Sequence, residues 1–413
     1  MNKELTRSRY FFLILILGTL TALGPFSIDM YLPGFQAIAK ELNVESTRVA
    51  YSLSSFFIGI SAGQLLYGPL LDRFGRKKPL LIGLVLYILA SAGCIYASSL
   101  NSLIILRFIQ AIGSCAAAVA SVAMVRDLFP VKENAKVFAL LMLVVGTSPM
   151  IAPAVGGYIT SAFSWHIVFL ILAIMGVLIL LTTIFWLPES YTPDTSMSLK
   201  PRPIINNFLS VIKEPQFYTY ALTGAMAFSG LFAYVSASPQ VFMGIHHLSD
   251  KTYGWIFAGL SIGFIGSSQV NSLLLKRFES QQIVPVALTG QVITGIVFLC
   301  CAWNDWLNLP GTIALLFAFL CCLGCINPNT SALSLAPFRK NAGSASALMG
   351  AIQMGAGALA ATIVGADDSN TAVPMALTMC GSSILALIIL LIGRKRIGTA
   401  LAAPEKGSAV VAH

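Results

Sequence analysis

Apolar runs of about twenty residues recur along nearly the whole chain, and they limit its fold more than any other feature. A helix needs about 20 apolar residues to cross the hydrocarbon core of a membrane. Of the 413 residues, 57% are hydrophobic and only 10% are charged, which is outside the range of soluble globular proteins. We therefore expect an all-α integral membrane protein with twelve transmembrane helices. The predicted spans are 10–32, 48–70, 79–98, 102–124, 137–160, 166–187, 216–239, 253–274, 283–302, 310–331, 344–364 and 372–393.

The first run is expected to remain as a span, because it is longer than the apolar core of a secretory signal and contains Pro25 and Asp29. Basic residues then predict the orientation. With a cytoplasmic N-terminus, most of the 25 Lys and Arg residues lie in cytoplasmic segments. Cytoplasmic loops are enriched in basic residues, so both termini are expected in the cytoplasm. The same asymmetry explains the net charge of +9 without a nucleic-acid surface.

A proline-rich polar stretch divides the predicted spans into two sets of six, and we interpret it as a cytoplasmic linker. The string LLDRF at 70–74 recurs as LLKRF at 274–278, which supports two parallel six-helix repeats. The predicted organisation is an N-terminal bundle over 1–187, the linker over 188–215, a C-terminal bundle over 216–396 and a flexible cytoplasmic tail over 397–413.

The loop between the second and third spans, GPLLDRFGRKKPLL at 68–81, resembles the signature of the major facilitator superfamily. The resemblance implies two pseudo-symmetric six-helix bundles and a conformational gate at this loop. In that gate Asp72 is expected to contact the start of the eleventh helix, near 341–344, and to lock the outward-open state. The expected gate residues are Gly68, Asp72, Arg73, Gly75 and Arg76, together with Arg126 at the end of the fourth span.

The fifth span contains GTSPMIAPAVGGYI at 146–159. Pro149 and Pro153 are one helical turn apart, and Gly156 and Gly157 follow, so this helix is predicted to be kinked and to pack closely against a neighbour. The stretch resembles the antiporter motif of proton-coupled drug exporters, with Ala152 where glycine is usual.

The fourth span carries one polar stripe on an otherwise apolar helix. Arg107, Gln110, Ser114 and Ala118 are spaced at i, i+3, i+7 and i+11, and we expect this stripe to face a central cavity. The surrounding stretch, LIILRFIQAIGSCAAA, resembles the arginine-bearing motif of the same family. An alternative is that Arg107 extends to the membrane surface.

Two further stretches, SIDMYLP at 27–33 and NAGSASALMGAIQ at 341–353, resemble the bicyclomycin/chloramphenicol resistance branch of the family. This resemblance implies a proton-coupled exporter of small amphiphilic antibiotics such as phenicols or bicyclomycin. It also implies a monomer in the bacterial cytoplasmic membrane, driven by the proton gradient without a cofactor. Sequence reasoning leaves two alternatives open: an exporter of a metabolite such as an amino acid or sugar, and a membrane sensor or receptor.

Asp29 is the only carboxylate well within a predicted span. An ionised acid near the bilayer centre costs about 2.5–3.5 kcal/mol, so its presence there indicates a function. By the helical rise, Asp29 is about 5 Å and Arg107 about 8 Å from the same side, so the two residues are candidates for a proton-coupling pair. A structural pair at the interface is the alternative. Further candidates for substrate contacts are Phe26, Phe228, Phe232 and Gln353, besides Asp29, Arg107, Gln110 and Ser114.

Sequence patterns of other functions are missing. There is no glycine-rich nucleotide loop and no nucleophile motif, so neither ATP-driven transport nor an enzyme is expected. The cysteines of CCLGC, at 321–325, would scatter around a helix and have no histidine nearby, so no metal site is expected.

Overall fold

The computed structural model describes residues 7–129, 131–193, 201–338, 342–367 and 371–397, and in these ranges the regular structure is entirely helical. The helices are α1 (Arg7–Asp29), α2 (Phe35–Leu42), α3 (Ser46–Phe74), α4 (Lys77–Ile95), α5 (Leu100–Leu128), α6 (Val131–Ala162), α7 (Trp165–Phe185), α8 (Pro201–Ile212), α9 (Pro215–Pro239), α10 (Asp250–Leu274), α11 (Ser280–Trp303), α12 (Leu309–Leu335), α13 (Ala342–Gly365) and α14 (Val373–Ile397).

In the described chain, eleven segments are long enough and apolar enough to cross a membrane. The helix α10, which the sequence predicts as a span, is not among these eleven. With 25 residues α10 is about 37 Å long, enough to cross a membrane. Its apolar character is reduced by polar residues that contact neighbouring helices rather than lipid. Asn271 accepts a hydrogen bond from Asn329 of α12 at 2.6 Å, and Ser261 donates to the carbonyl of Pro149 in α6 at 3.4 Å. We therefore assign α10 as the twelfth span, and the predicted all-helical fold class is confirmed.

The first predicted span ends earlier than expected. The helix α1 stops at Asp29, and a 3-10 turn at Leu32–Gly34 connects it to the short helix α2. Pro33 and Gly34 explain the break, since proline lacks an amide donor and glycine is flexible. At the corresponding place in the second half, a π-helical segment at Gln240–Ile245 extends α9. Asp29 therefore lies at the C-terminal end of a helix, beside irregular backbone.

The spans form two groups of six, α1 with α3–α7 and α9–α14, and they meet mainly where α3 packs on α13 and α6 on α10. Ser61 of α3 donates a hydrogen bond to the carbonyl of Ala351 in α13 at 2.8 Å. We call the end of the molecule that carries the loop 75–76 and helix α8 the basic end. The end that carries residues 30–45 and 240–249 is called the opposite end.

The stretch interpreted as a polar linker contains a helix that the sequence analysis did not predict. In α8, Phe208 and Val211 pack against Phe217 of α9 and Leu348 of α13. Asn207 donates a hydrogen bond to Ser344 Oγ at 2.7 Å. These contacts attach the connection between the two groups of helices to the second group.

Candidate functional site

Asp29 lies at the interface between the two bundles. Its side chain is only 5% exposed, and within the described residues it has no hydrogen bond and no ion pair. The next residue, Met30, packs so closely on α6 that a Cβ at Gly156 would lie 2.0 Å from the Met30 carbonyl oxygen. Asp29 interacts electrostatically with Tyr234 of α9 and Tyr253 of α10. The 3-10 turn at Leu32–Gly34 contacts both α6 and α10, so the end of α1 lies beside the seam between the two bundles.

Arg107 is fully buried in the first bundle and is surrounded by aromatic rings. Its guanidinium carbon lies 4.3 Å from the ring centre of Tyr31, 4.1 Å from that of Phe56 and 5.8 Å from that of Phe169. Nη1 donates a hydrogen bond to Gln110 Oε1 at 2.7 Å. Among the described residues, Nε and Nη2 have no hydrogen-bond partner. Cation–π contacts thus supply much of the stabilisation of this charge.

No ion pair joins Asp29 to Arg107 in the part of the chain that the structure describes. The Arg107 guanidinium instead contacts aromatic rings and Gln110 of the first bundle, and the pairing of the two residues stays a prediction. The burial of Arg107 also excludes its extension to the membrane surface in this conformation.

In this conformation the polar groups of the α5 stripe are hydrogen-bonded inside the first bundle, and that the stripe faces a central cavity stays a prediction. Gln110 donates through Nε2 to Ser91 Oγ of α4 at 2.7 Å. Ser114 donates to the carbonyl of Ala111 at 3.0 Å. The amide of Gln110 thus finds its acceptor on α4, and the hydroxyl of Ser114 finds its acceptor on α5 itself.

The predicted aromatic residues lie partly at the interface. Phe232 of α9 contacts Phe57 of α3 with ring centres 4.2 Å apart, and Phe228 packs on Phe232 at 5.2 Å. Phe26 is half-buried in α1. Gln353 donates a hydrogen bond to Asn327 Oδ1 of α12 at 2.8 Å and so is engaged within the second bundle.

The proline and glycine residues of α6 lie at the seam with α10, near the opposite end. A Cβ at Gly157 would lie 2.4 Å from the Asp250 carbonyl oxygen, and a Cβ at Gly254 would lie 2.7 Å from the Pro153 carbonyl oxygen. Close packing of this helix, which the sequence predicted, is therefore seen across the two bundles.

A hydrogen bond between side chains of the two bundles also lies at the opposite end. Gln36 Nε2 donates a hydrogen bond to Gln240 Oε1 at 3.4 Å across the bundles. Nearby, Phe35 and Ser236 line a cavity of about 20 Å³, the room of a single water molecule. The opposite end is closed in this conformation.

The loop signature at the basic end is organised around Arg76. Its Nε donates to Asp127 Oδ2 at 2.8 Å, its Nη1 donates to Asp72 Oδ1 at 2.5 Å, and its guanidinium lies 4.1 Å from the ring centre of Tyr191. Burial alone would lower the pKa of Arg76, but the hydrogen bonds and charges of Asp127 and Asp72 outweigh it and raise that pKa. This network lies within the first bundle.

Other predicted gate residues have separate surroundings. Gly75 has a φ of 84°, a conformation that favours glycine, and Glu189 Oε2 lies 2.9 Å from the position a Cβ would take. Gly68 has open space around it, Arg73 lies near the ring of Phe74, and Arg126 is exposed. The expected contact of Asp72 with the start of the eleventh helix falls partly outside the described residues, because 339–341 are not described.

Sequence reasoning missed several residues that these contacts bring into the site. Tyr234 and Tyr253 gave no signal, because tyrosine is enriched near both membrane surfaces and its presence at the end of a span does not by itself indicate a function. Asp127 and Glu189 could have been found by asking which acids at the ends of spans balance the basic loop 73–78. Among the described residues, the cysteines are free and no cluster of three or more His, Cys, Asp or Glu side chains forms a metal site.

Comparison with known proteins identifies the family. The family model described as Major Facilitator Superfamily matches residues 16–361. The bicyclomycin resistance protein homolog of Haemophilus influenzae is 32% identical over 388 residues, which cover 94% of this chain and 96% of that protein. The chloramphenicol resistance protein of Pseudomonas aeruginosa is 27% identical and aligns over 69% of this chain and 67% of that protein.

Among solved structures, the D-xylose-proton symporter aligns with a TM-score of 0.73 at 16% identity, over 92% of this chain and 97% of that one. At this identity the likeness shows the fold alone. Together with the match of the family model, it establishes the arrangement of helices described above. The chain belongs to the Major Facilitator Superfamily, in its bicyclomycin/chloramphenicol resistance branch, and is a membrane transporter rather than an enzyme.

Proposed function

We propose that this transporter exports small amphiphilic antibiotics of the phenicol or bicyclomycin class in exchange for protons. The names of the two relatives support the drug class. The observation that carries the coupling to protons is Asp29, a buried carboxyl group without a cationic partner in the described residues, positioned between the two bundles. Because an isolated buried charge is costly, such a group is suited to bind and release a proton as its surroundings change.

The cycle follows from alternating access around this acid. A proton from the external side neutralises Asp29, and the transporter closes at the opposite end, which we place outside the cell. After the proton is released to the cytoplasm, the antibiotic occupies the interface and the transporter opens outward. Arg107, whose Nε and Nη2 have no partner among the described residues, provides an alternative site for the ionised carboxylate.

The basic residues of the predicted loops favour cytoplasmic termini, and bacterial relatives favour the cytoplasmic membrane. We further propose that the transporter works as a monomer, with membrane lipid around it, and uses the proton gradient without a cofactor.

Antibiotic tolerance in a pump-deficient bacterial host tests this function. The wild-type chain, Asp29→Asn and Arg107→Ala are compared at matched expression for tolerance of chloramphenicol, florfenicol and bicyclomycin. We expect protection by the wild type and tolerance at the empty-vector level for both variants. Asp305→Asn is the matched control, because Asp305 is exposed and its φ of 55° is well tolerated by asparagine.

The tolerance assay tests the coupling role of Asp29 and the class of exported compound separately. Protection that survives Asp29→Asn would show that the acid is not the coupling group. No protection by the wild type against any of the three compounds would remove this drug class, and release of an amino acid or sugar from loaded cells would then be measured.

A further inference from the structure

The helix α8 exposes apolar side chains where a helix surrounded by water would expose polar ones. Ile205, Leu209 and Ile212 are between 42% and 52% exposed. Their spacing of i, i+4 and i+7 places all three on one face of the helix. A short helix in an aqueous connection between two bundles would carry polar residues on such a face. The exposed apolar face therefore indicates a covering other than water.

The side chains of α8 follow a definite order around the helix axis. Phe208 and Val211 pack on the second bundle. At about 100° per residue, the exposed apolar face begins directly beside Phe208, with Ile212. Farther around the axis, the exposed residues are first basic and then neutral and polar: Arg202, Lys213, Asn206 and Ser210. Protein contact, apolar face, basic edge and polar face, in this order, are typical of a helix that lies at a membrane surface.

The contacts of α8 place it at the level of that surface. The apolar spans of the second bundle begin at Pro215 and Gly343. The hydrogen-bond partner of α8, Ser344, and its packing partners Phe217 and Leu348 all lie within the first two turns of these spans. At 1.5 Å per residue this is a depth of up to about 8 Å, and amphipathic helices lie about 5–10 Å deep at the boundary of headgroups and acyl chains.

The charges of α8 favour a negatively charged surface. The helix has no acidic residue, and within the described residues Arg202 and Lys213 form no ion pair. The next acid in the sequence, Glu214, is half-buried and precedes α9 as its N-cap residue, where the partial positive charge of the helix start compensates it. Two exposed basic side chains are thus left beside the apolar face.

We propose that α8 is a docking site for anionic phospholipid at the basic end of the transporter. Ile205, Leu209 and Ile212 lie among the outermost carbons of the acyl chains, and Arg202 and Lys213 extend to the headgroup phosphates. Because α8 is attached to α13, which packs on α3 of the first bundle, this lipid binds beside a contact between the two bundles. The inference does not depend on which compound is exported.

Fluorescence quenching by brominated lipid tests this docking site. In full-length protein whose native cysteines are replaced by serine, Leu209→Cys carries a fluorophore, and the protein is reconstituted into phosphatidylcholine vesicles. Either phosphatidylglycerol or phosphatidylcholine, brominated in its acyl chains, is included at a series of mole fractions, and iodide reports access from water. Ser210→Cys, the next residue and on the polar face, is the matched label control.

We expect the Leu209 label to be quenched by the lipid bromines and shielded from iodide, and the Ser210 label to behave in the opposite way. The mole fraction of phosphatidylglycerol that gives half of the quenching should be lower than that of phosphatidylcholine. It should rise by about fivefold in Arg202→Gln and again in Lys213→Gln, the contribution of one basic residue near an anionic surface. Lys276→Gln, an exposed basic residue between α10 and α11, should leave it unchanged.

Equal quenching of the Leu209 and Ser210 labels, equal quenching by the two lipids, or the same loss in Lys276→Gln would overturn the proposal. A Leu209 label shielded from both bromine and iodide would overturn it in favour of a second protein copy on α8. If the serine replacements unfold the protein, the unlabelled wild type and the double variant Arg202→Gln/Lys213→Gln are compared for phosphatidylglycerol retained in detergent. We expect the wild type to retain more, and equal amounts would overturn the proposal.

Discussion

Gly157 offers a direct way to bias the conformation of this transporter, because it lies where α6 and α10 approach most closely across the bundles. An alanine Cβ would lie 2.4 Å from the Asp250 carbonyl oxygen and 3.0 Å from its carbon, against ordinary contacts of 3.4–4 Å. The helices must separate by about 1 Å to accept it, and overpacking of this kind costs about 1–3 kcal/mol. Only the closed state bears that cost.

The change in helix propensity does not alter this conclusion. Replacing glycine by alanine favours a helix by about 1 kcal/mol, but α6 is a helix in both conformations, so the gain cancels in their equilibrium. A cost of about 1–3 kcal/mol in the closed state alone shifts the equilibrium by about 5–150-fold toward opening at the opposite end. Gly157→Ala is therefore expected to open this end while the fold is kept.

A cysteine in the closed seam reports the shift. Ser236 is 4% exposed, lines the small cavity at the opposite end, and its hydroxyl has no partner among the described residues. In a chain whose native cysteines are replaced by serine, Ser236→Cys is labelled with a membrane-impermeant maleimide. We expect Gly157→Ala to raise the labelling rate in proportion to the open population, by about 5–150-fold as long as the open state remains the minor one.

Two glycines serve as controls for this measurement. Gly381→Ala, on α14, introduces a methyl group into open space and should leave the rate unchanged. Gly156→Ala presses on Met30 within the first bundle, so it should lower thermal stability without opening the seam selectively. Equal labelling rates in Gly157→Ala and Gly381→Ala would refute the reasoning, and an equal rise in Gly156→Ala would attribute the effect to general loosening.

Two further substitutions test the contacts at the basic end and in the first bundle. Glu189 accepts hydrogen bonds from the backbone amides of Arg76 and Lys77 at 2.8 and 3.0 Å. Glu189→Ala should therefore destabilise the start of α4 by about 0.5–2 kcal/mol and lower the melting temperature of the protein in detergent. Glu189→Gln should lower the melting temperature less. Arg107→Met should keep or raise the melting temperature, because it replaces a buried charge that has no ionic partner with an apolar side chain. Proton-coupled export should be lost in the same variant. A large fall in melting temperature would show that the contacts of Arg107 with the aromatic rings contribute more to stability than the burial of its charge costs.

The fold was predictable from the sequence because membrane insertion imposes strong rules on length and polarity. Apolar runs of about twenty residues placed the helices, and polar stretches separated them. The end of α1 was misplaced because Leu32 and Pro33 continue the apolar run although the backbone leaves the helix at Asp29. The helix α8 was missed because its prolines suggested a linker, whereas its stability comes from packing of Phe208 and Val211 on the second bundle.

The sequence shows which polar residues of the candidate site lie in apolar runs, but it does not show which neighbours they contact. A lone acid in an apolar run is visible in the sequence, so Asp29 stands out there, and its role in proton coupling stays a prediction. Periodicity also placed Arg107 and Gln110 on one face of α5, but it does not specify which neighbour that face meets, and Ser91 of α4 decided the orientation. The unsatisfied hydroxyl of Tyr234 is a property of three-dimensional packing and leaves no trace in the pattern of residues.

The irregular backbone after α1 links Asp29 to the aromatic ring that covers Arg107. Tyr31, whose ring covers the Arg107 guanidinium at 4.3 Å, lies two residues after Asp29 in the same irregular segment. The next helix, α2, is attached to α7, where Trp165 Nε1 donates to Glu41 Oε2 at 2.7 Å. The proposed approach of the Asp29 carboxylate to Arg107 would therefore need movement of only the last residue of α1 and of the irregular backbone at 30–31, and not the unwinding of α1.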